Sequence, residues 1–264
     1  MNTTHRRASL IALSTSLALA SAAQAQWTYI NLHPAGANSS EARGVDGQHV
    51  VGSVQYNGSV IRPSLWTGTS TAWTDLKPVS IFGAEAFGIG GGQQVGTIDR
   101  NIQPGLVRPR AVVWAGTANS YIDLNPDLAS AGSVARGAGG GQQVGYILVG
   151  ILSTPNALAA LWTGSAASFV NLHPSGAQHS FAYGTDGVQQ VGLVLPSNQG
   201  SETGSRRAAL WSGTAASFVS LHPAGALESE RPPDDVEQHP QLDVGEQRQQ
   251  HVKDVVGDDR PVRT

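Results

Sequence analysis

One pattern occurs four times along the chain, at a spacing of 44 to 49 residues. Each copy opens with Ser/Ala-x-Ala-x-Gly-x-x-Gly-x-x-x-Val-Gly, and the four openings begin at Ser40, Ala84, Ser133 and Ser180. Repetition at this period is typical of arrays in which each supersecondary unit buries its apolar face against its neighbours. The repeat therefore constrains the architecture much more tightly than it constrains any activity.

Two further motifs recur in every copy. An apolar run leads into Trp-x-Gly, and each copy ends in Leu-x-Pro. The tryptophans are Trp66, Trp114, Trp162 and Trp211. Since a tryptophan buries about 150–250 Å² of mostly apolar surface, we expect these side chains to fill the layers between adjacent repeats.

Within a repeat the sequence reads as four short strands. In the fourth copy the candidate strands are residues 180–183, 190–195, 208–211 and 216–221. In the first copy the dipeptide Asn57-Gly58 is a strong hairpin signal, which places the second and third strands side by side in one antiparallel sheet. No window shows an apolar stripe at helical spacing. Four short antiparallel strands per repeat are typical of a β-propeller blade.

The recurring glycines have a structural explanation at two positions. One set is expected in hairpin turns that need a positive φ, and it consists of Gly47, Gly91, Gly140 and Gly187. The other set is expected inside a strand, where a close neighbour leaves no room for a Cβ atom, and it consists of Gly52, Gly96, Gly145 and Gly192.

These patterns predict an all-β fold, a β-propeller-like array of four-stranded antiparallel repeats. The four complete repeats span residues 40–78, 84–126, 132–174 and 180–223. One extra N-terminal strand, residues 27–32, precedes them and ends in His33-Pro34 as the full repeats end. Such a strand completes the last blade of a closed propeller, but no matching strands follow the fourth repeat, so we expect an incomplete ring.

Residues 1–25 have the features of a signal peptide. Arg6 and Arg7 give a positive start, a short uncharged apolar run follows, and residues 23–25 form the small-x-small sequence that a signal peptidase requires. We therefore expect a secreted protein, either extracellular or periplasmic.

The repeat domain, residues 26–226, is followed by a different kind of sequence. Residues 227–264 hold ten of the 19 acidic residues and no aromatic residue, so we expect a disordered tail. A fifth repeat begins on schedule with Ser229 and Glu230 but breaks at Arg231. We interpret this break as a shifted reading frame or a truncation.

Composition excludes several partners and centres. The chain has no cysteine, which rules out disulfides and thiolate zinc sites. Residues 26–226 carry nine acidic and nine basic side chains, and this balance gives no field that would attract nucleic acid. No stretch of 18 apolar residues occurs, so we expect no membrane span.

The glycine-rich opening, the Leu-Trp-x-Gly segment and the Leu-x-Pro ending together resemble the bacterial extracellular HAF repeat family. The likeness covers residues 27–229 and implies export and propeller-like β structure, with no catalytic residues to carry over. The His-Ala-Phe tripeptide that names the family is replaced here, for example by Arg207-Ala208-Ala209. Kelch propellers are the alternative, but their double glycine ends a strand, whereas residues 90–92 lie in a turn.

One repeated position is a candidate ligand ring. The residue between Leu and Pro is polar in all five places, and these residues are His33, Lys77, Asn125, His173 and His222. Equivalent positions of a propeller form a ring, so three imidazoles could converge on a metal or an anion. The alternative is a polar loop residue before proline, which the presence of Lys and Asn favours.

Two other motifs are better explained by turns than by ligands. The glycines of residues 88–92 resemble a dinucleotide-binding loop, but they open no helix. Asp46-Gly47 and Asp186-Gly187 lack the alternating carboxylates of a calcium loop and are typical of hairpin turns.

The charged residues of the repeats also favour structural roles. Asp75 and Asp123 share a position that is Asn elsewhere, which indicates hydrogen bonding at the end of a strand. Arg62, Arg110 and Arg207 precede the tryptophan strands, where we expect stacking or protection of an edge. No serine lies in Gly-x-Ser-x-Gly, and we expect no catalytic residue, cofactor or metal.

We predict an exported, non-enzymatic repeat protein that acts as a binding or cell-surface scaffold module. Its partner would be a protein or a glycan. The alternatives are a carbohydrate-binding propeller and a propeller-type glycosidase or lyase. The segments 98–108 and 195–206 differ most between repeats and could form pockets.

Overall fold

The computed structural model describes residues 28–56, 60–151, 153–197, 206–224 and 226. The predicted signal peptide (1–25), the turn at Asn57-Gly58 and the predicted tail (227–264) lie outside these residues. The chain divides into two compact units, Met1–Ile30 and Asn31–Thr264. Only residues 28–30 of the first unit are described, and they have no regular structure.

The described part of the second unit consists of β-strands, short turns and loops, without an α-helix. Sheet 1 contains β1 (Ser39–Asp46), β2 (His49–Tyr56), β3 (Val60–Thr67) and β4 (Trp73–Asp75). Sheet 2 contains β5 (Ala84–Gly90), β6 (Gln93–Gln103), β7 (Leu106–Trp114) and β8 (Ile122–Asp123). Sheet 3 contains β9 (Gly132–Gly139), β10 (Gln142–Val149), β11 (Asn156–Trp162) and β12 (Val170–Asn171). Sheet 4 contains β13 (Ala177–Thr185), β14 (Gln190–Pro196), β15 (Arg207–Trp211) and β16 (Val219–Ser220).

Each sheet is an antiparallel meander whose four strands follow chain order, and each corresponds to one sequence repeat. The prediction of an all-β chain of four-stranded antiparallel repeats is therefore confirmed. In sheet 1 the second and third strands pair from Tyr56 opposite Val60 onward, as the hairpin signal predicted.

A β-bulge interrupts the first strand of every sheet at the same place. The extra residues are Arg43, Phe87, Arg136 and Tyr183. A glycine of the second strand lies opposite each bulge, and a Cβ atom on Gly52 would collide with the carbonyl oxygen of Glu41. The same collision occurs at Gly96, Gly145 and Gly192. The predicted close neighbour of these glycines is thus the bulged strand of their own sheet.

The turn between the first and second strands also requires glycine. Gly47, Gly91, Gly140 and Gly187 have φ values of 60°, 58°, 54° and 97°. Side chains rarely adopt this left-handed conformation, so the predicted turn role of these glycines is confirmed.

Successive sheets are joined by apolar cores. Between sheets 1 and 2, Val51 and Leu65 of sheet 1 pack with Ala86 and Trp114 of sheet 2. The next two cores have the same composition, with Trp162 between sheets 2 and 3 and Trp211 between sheets 3 and 4. These three tryptophans fill the layers between repeats as predicted, and Trp66 of sheet 1 is also buried. Burial of each indole removes a large apolar surface from water, which makes these cores the main source of stability.

The first strands of neighbouring sheets contact one another. β1 packs against β5, β5 against β9, and β9 against β13. A Cβ atom on Gly88 would collide with the carbonyl oxygen of Arg136, and one on Gly137 would collide with that of Tyr183. The glycines of the first strands therefore permit contact between the backbones of successive sheets.

Two details of the predicted strands are wrong. Residues 28–32 form no strand, because a fourth strand pairs with the third strand that precedes it and no such strand precedes these residues in the described chain; Trp27 itself lies outside the described residues. In sheet 4 the predicted strand 216–221 is limited to Val219–Ser220, because a 3₁₀ turn at Ala215–Ser217 takes the preceding residues. Among the described residues, no helix has the length and apolar character needed to cross a membrane.

Candidate functional site

The five predicted ring residues each contact the turn that follows them. His173 Nε2 lies 3.2 Å from the carbonyl oxygen of Ala177, and its Nδ1 lies 2.8 Å from Ser180 Oγ. His33 makes the same two contacts, at 3.0 Å with Ala37 O and at 2.9 Å with Ser40 Oγ. Each histidine thus joins the end of one repeat to the first strand of the next sheet.

Asn125 forms a related pair of hydrogen bonds, to the equivalent serine and to the carbonyl oxygen of the next residue in place of the one four residues on. Its Nδ2 donates to Pro126 O at 3.1 Å, and its Oδ1 accepts from Ser133 Oγ at 2.7 Å. An amide and a neutral imidazole each offer one donor and one acceptor, so they are interchangeable at this position.

Lys77 and His222 complete the set. Lys77 Nζ donates to Ile81 O at 2.5 Å. The residue equivalent to Ser133 and Ser180 is here Ala84, which has no hydroxyl group. A lysine ammonium donates only, so lysine occurs where no hydroxyl donor needs an acceptor. His222 Nε2 lies 2.8 Å from Ala226 O. Each of the five side chains therefore bonds the turn that follows it, and we call these contacts clasps. They favour the interpretation as polar loop residues and not the interpretation as a shared ligand ring.

The serines in these clasps also connect sheets. Ser133 Oγ accepts a hydrogen bond from the backbone N–H of Ala111 at 2.9 Å, and Ser180 Oγ accepts one from Ala159 at 2.8 Å. Both serines are fully buried and lie on the first strand, while the donors lie on the third strand of the preceding sheet. Each serine thus satisfies a buried N–H group that would be costly to leave unpaired.

The environment of the histidines near sheet 4 favours their neutral form. Burial is the main cause that lowers the pKa of His173, and His179 nearby lowers it further, while the Ala177 carbonyl raises it. Burial also lowers the pKa of His179, whose Nδ1 accepts from the Ala157 N–H at 3.1 Å. With Nε2 donating to Ala177 O, neutral His173 uses Nδ1 to accept the Ser180 hydroxyl proton.

A buried glutamine holds the Trp-x-Gly turn in three sheets. Its Oε1 accepts from the glycine N–H at 2.7 to 2.8 Å, in the pairs Gln94 with Gly116, Gln143 with Gly164, and Gln190 with Gly213. These glutamines also bridge sheets, since Gln143 Nε2 donates to Gln93 Oε1 at 2.8 Å and Gln190 Nε2 donates to Gln142 Oε1 at 2.9 Å. Sequence reasoning missed this role, although a glutamine that recurs inside an otherwise apolar strand is a visible signal.

The aspartates at the ends of the fourth strands have the predicted role. Asp75 Oδ1 accepts from the N–H of Lys77 at 2.8 Å, and Asp123 Oδ1 accepts from that of Asn125 at 2.9 Å. Their other oxygens pair with arginines, at 2.5 Å for Arg62 and 3.3 Å for Arg110. Instead of stacking or protecting an edge, these two arginines form ion pairs, because the sheet register places Ser64 and Val112 opposite the aspartates.

Asp186 belongs to a hairpin turn, as its sequence predicted. Its Oδ1 accepts from the backbone N–H groups of Val188 and Gln189, at 2.8 and 2.7 Å. These hydrogen bonds, with that of Gln189 the strongest, lower the pKa of the Asp186 carboxyl group. The described residues contain no group of three or more His, Asp or Glu side chains placed to hold a metal ion.

The bulges bring together side chains that sequence reasoning did not combine. We use the name bulge column for Arg43, Phe87, Arg136 and Tyr183, one from the first strand of each sheet. The guanidinium carbons of Arg43 and Arg136 lie 5.0 and 4.3 Å from the centre of the Phe87 ring. Both distances fit cation–π contacts. The signal in the sequence was the single variable residue in an otherwise constant Ala-x-Gly segment.

Acidic and aromatic groups surround the bulge column. Glu41 lies 2.9 Å and Glu85 lies 3.4 Å from the Arg43 guanidinium group, so these two carboxylates share one cation. At the other end, the ring of Tyr183 is parallel to that of Phe181, with centres 6.3 Å apart and an interplanar angle of 9°. Tyr183 is 43% exposed, which makes this aromatic pair accessible to a ligand.

One of the two variable segments differs from the prediction, and most of the other lies outside the described residues. Residues 98–108 are mainly an extended hairpin rather than a loop, because β6 continues to Gln103 and β7 begins at Leu106. Within it, burial lowers the pKa of Arg108, whose Nη1 donates to Val107 O at 3.2 Å. Residues 198–205 of the second segment lie outside the described residues.

No protein-family model matches the chain, and neither a curated protein nor a solved structure matches it.

Proposed function

We propose that the chain is an exported, non-enzymatic repeat protein that acts as a binding or cell-surface scaffold module. One observation carries this proposal: the polar residues that recur in the repeats are engaged in hydrogen bonds within and between sheets. The clasp at His173 and the glutamine bridge at Gln143 are examples. Each of these groups has a partner inside the framework, which supports a structural role for it.

The proposal includes a propeller-like arrangement of the sheets. Its support is that first strands contact first strands from sheet to sheet, while the fourth strands form the opposite edges. The resemblance to the extracellular HAF repeats and the signal-like residues 1–25 support export. Recovery of the protein outside the cytoplasm with Gln26 as its first residue would test that part of the proposal, and retention of residues 1–25 would contradict it.

The bulge column is the surface that we assign to binding. It combines charged groups with the exposed ring of Tyr183 and varies between sheets, whereas the Ala and Gly residues on either side of each bulge are constant. Variable residues held on a rigid, repeated framework are the usual way in which repeat proteins present a binding surface.

A carbohydrate ligand is the second candidate. The parallel pair Phe181 and Tyr183 favours it, because an exposed aromatic face beside polar groups offers both apolar contact and hydrogen bonds to a sugar ring.

The test is a glycan array run together with a panel of polysaccharide substrates. We expect no turnover of any polysaccharide, and turnover would contradict the proposal. Specific retention of a glycan that is lost in Tyr183→Ala, but kept in Phe82→Ala, would establish the carbohydrate-binding function. Phe82 is the matched control because it is an exposed aromatic residue outside the bulge column.

A further inference from the structure

The outer face of sheet 4, defined by Gly184, Val191, Leu210 and Leu221, exposes residues that are buried in the other sheets. Val191 is 47% exposed, whereas its three equivalents are fully buried in the cores between sheets, and these are Val51, Val95 and Val144. Leu221 is 51% exposed, and its equivalents are likewise fully buried, namely Leu76, Leu124 and Leu172. The outer face of sheet 4 therefore repeats a docking surface that is used three times within the chain.

Gly184 shows what kind of structure fits this face. A Cβ atom on the equivalent Gly88 or Gly137 would collide with the backbone of the next sheet. At Gly184 the nearest atom to such a Cβ is Val191 Cγ2, at 3.4 Å, which is an ordinary contact. Sheet 4 thus has room for the close approach of another first strand, although no sheet follows it among the described residues.

The opposite end of the array carries a matching surface. Ala42 on β1 is exposed, whereas its equivalents on the other first strands are fully buried, and these are Ala86, Ala135 and Ala182. In each internal core this alanine packs in the same cluster as the second-strand valine of the preceding sheet, as Ala86 does with Val51. On sheet 1, Val54 and Trp66 are already buried, so the open part of its face is at the first strand.

The bulge column has complementary ends. It begins in sheet 1 with the cation Arg43 and ends in sheet 4 with the exposed ring of Tyr183. If the two ends met, Arg43 would lie next to Tyr183 as Arg136 lies next to Phe87 of the preceding sheet, at 4.3 Å from the ring centre.

We propose that a second copy of the chain docks head to tail, with its β1 against β13 of the first copy. The contact pairs Ala42 of one copy with Val191 of the other and places backbone against Gly184. Residues 227–264 are a poorer occupant, because ten acidic residues without an aromatic residue do not complement an apolar face. Head-to-tail contacts either close into a ring or continue as a chain, so the assembly would contain two or more copies.

Cysteine cross-linking tests this contact, since the chain has no cysteine of its own. Ala42→Cys and Val191→Cys would be made in separate full-length proteins, mixed, and treated with a short bismaleimide. We expect a cross-linked dimer from the mixture and none from either variant alone, because Ala42 meets Val191 and neither residue meets itself. Adding Gly184→Ala to the Val191→Cys protein should abolish the dimer band while its circular dichroism stays unchanged.

Three other results would overturn the proposal. Cross-linking of Val191→Cys with itself would indicate that two sheet 4 faces pack together. A mixture that remains monomeric, with both cysteines freely alkylated, would show that the faces do not associate. Protection of Cys at position 191 from alkylation without any cross-link would indicate that part of the same chain covers the face.

Discussion

At the scale of single residues, the recurring polar side chains of this chain act as joints. Gln143 illustrates the rule, because it is fully buried, accepts from Gly164 N–H and donates to Gln93 on the preceding sheet. Sheet 1 has Val50 at the equivalent position, and there Gly68 N–H donates to the backbone oxygen of Gln48 instead. The same turn therefore has two solutions, and both satisfy the buried N–H group.

Replacing Gln143 with alanine should destabilise the fold. Gln143→Ala leaves the partly buried N–H of Gly164 without its acceptor and removes the hydrogen bond to Gln93, so we expect a loss of about 2–4 kcal/mol in the free energy of unfolding. Urea denaturation measures this loss. Gln189→Ala is the matched control, since Gln189 is exposed and should change stability by less than about 0.5 kcal/mol. Equal effects of the two substitutions would contradict the role of Gln143.

The clasp at His173 should make stability depend on pH. Its pKa is lowered in the folded protein, so as the pH falls below about 6.5, the ordinary value for histidine, the unfolded chain takes up a proton first. Stability is therefore full at neutral pH, declines from about pH 6.5 downward, and its histidine-dependent part is lost below the folded pKa.

His173→Asn isolates this effect, because Asn125 at the equivalent position bonds both the following turn and the equivalent serine without titrating. Denaturation at pH 7.5 and pH 5 should show a smaller difference in stability for the variant than for the unmodified protein. The difference that remains would include His179, whose pKa is also lowered. An unchanged pH dependence in the variant would contradict the account of the clasp.

Sequence patterns predicted the roles of residues whose interactions lie within a single turn. The positive φ of Gly140 and the hairpin role of Asp186 follow from turn chemistry alone. The clasp at His173 and the ion pair of Arg62 with Asp75 were not predicted, because they depend on which residues the strand register and the sheet order bring together. The hydrogen-bond partners of the five clasp residues favour polar loop residues over a ligand ring, as the presence of Lys77 and Asn125 among them already did.

At the scale of elements, the turn after each tryptophan determines the length of the fourth strand. In sheet 3 a 3₁₀ turn at Ala166–Ser168 precedes the two-residue strand Val170–Asn171. Ser168 Oγ accepts from Thr163 N–H at 2.8 Å and donates to Ser165 O at 2.6 Å, which fixes the turn. Sheet 1 lacks this serine, since Ala72 is at the equivalent position, and it has no 3₁₀ turn.

Ser168→Ala should loosen this turn. It removes the acceptor of the Thr163 N–H group, and because the site is partly open to water we expect a loss of about 1–2 kcal/mol. Faster amide hydrogen exchange at Thr163 would show that the effect is local. Ser70→Ala is the control in sheet 1, because the equivalent residue of sheet 3 is already alanine, Ala166. It should change neither the free energy of unfolding nor the amide exchange at Thr163. Unchanged exchange at Thr163 in Ser168→Ala would contradict this account.

Most strands could be predicted from the sequence, but some strand ends and the bulges could not. Alternating apolar residues placed the third strand of sheet 4 at 208–211, close to the observed Arg207–Trp211. The fourth strand was predicted too long because Ala216, Ser217 and Phe218 alternate apolar and polar residues as a strand does, although the serine hydroxyl makes Ala215–Ser217 a 3₁₀ turn. The bulges were missed since they are a property of two paired strands.

At the scale of the whole molecule, four similar sheets are joined in series, and each joint has an apolar core around a tryptophan of the following sheet. Because each sheet buries its apolar faces only against its neighbours, the array has two ends that differ from its interior. The exposure of Ala42 at one end and Val191 at the other is the consequence. The number of repeats and the tryptophans between them could be predicted from the sequence, but the glutamine bridges and the exposure of particular end residues required coordinates.

The most direct test of the serial joints compares two glycines at equivalent positions. Gly137→Ala and Gly184→Ala introduce the same methyl group on β9 and β13, and the free energy of unfolding would be measured by urea denaturation at a concentration where the protein is monomeric. We predict a loss of about 2–4 kcal/mol for Gly137→Ala, whose Cβ would collide with the Tyr183 carbonyl oxygen, and a change below about 1 kcal/mol for Gly184→Ala. Equal effects of the two substitutions would contradict the claim that the first strands of successive sheets meet at these glycines.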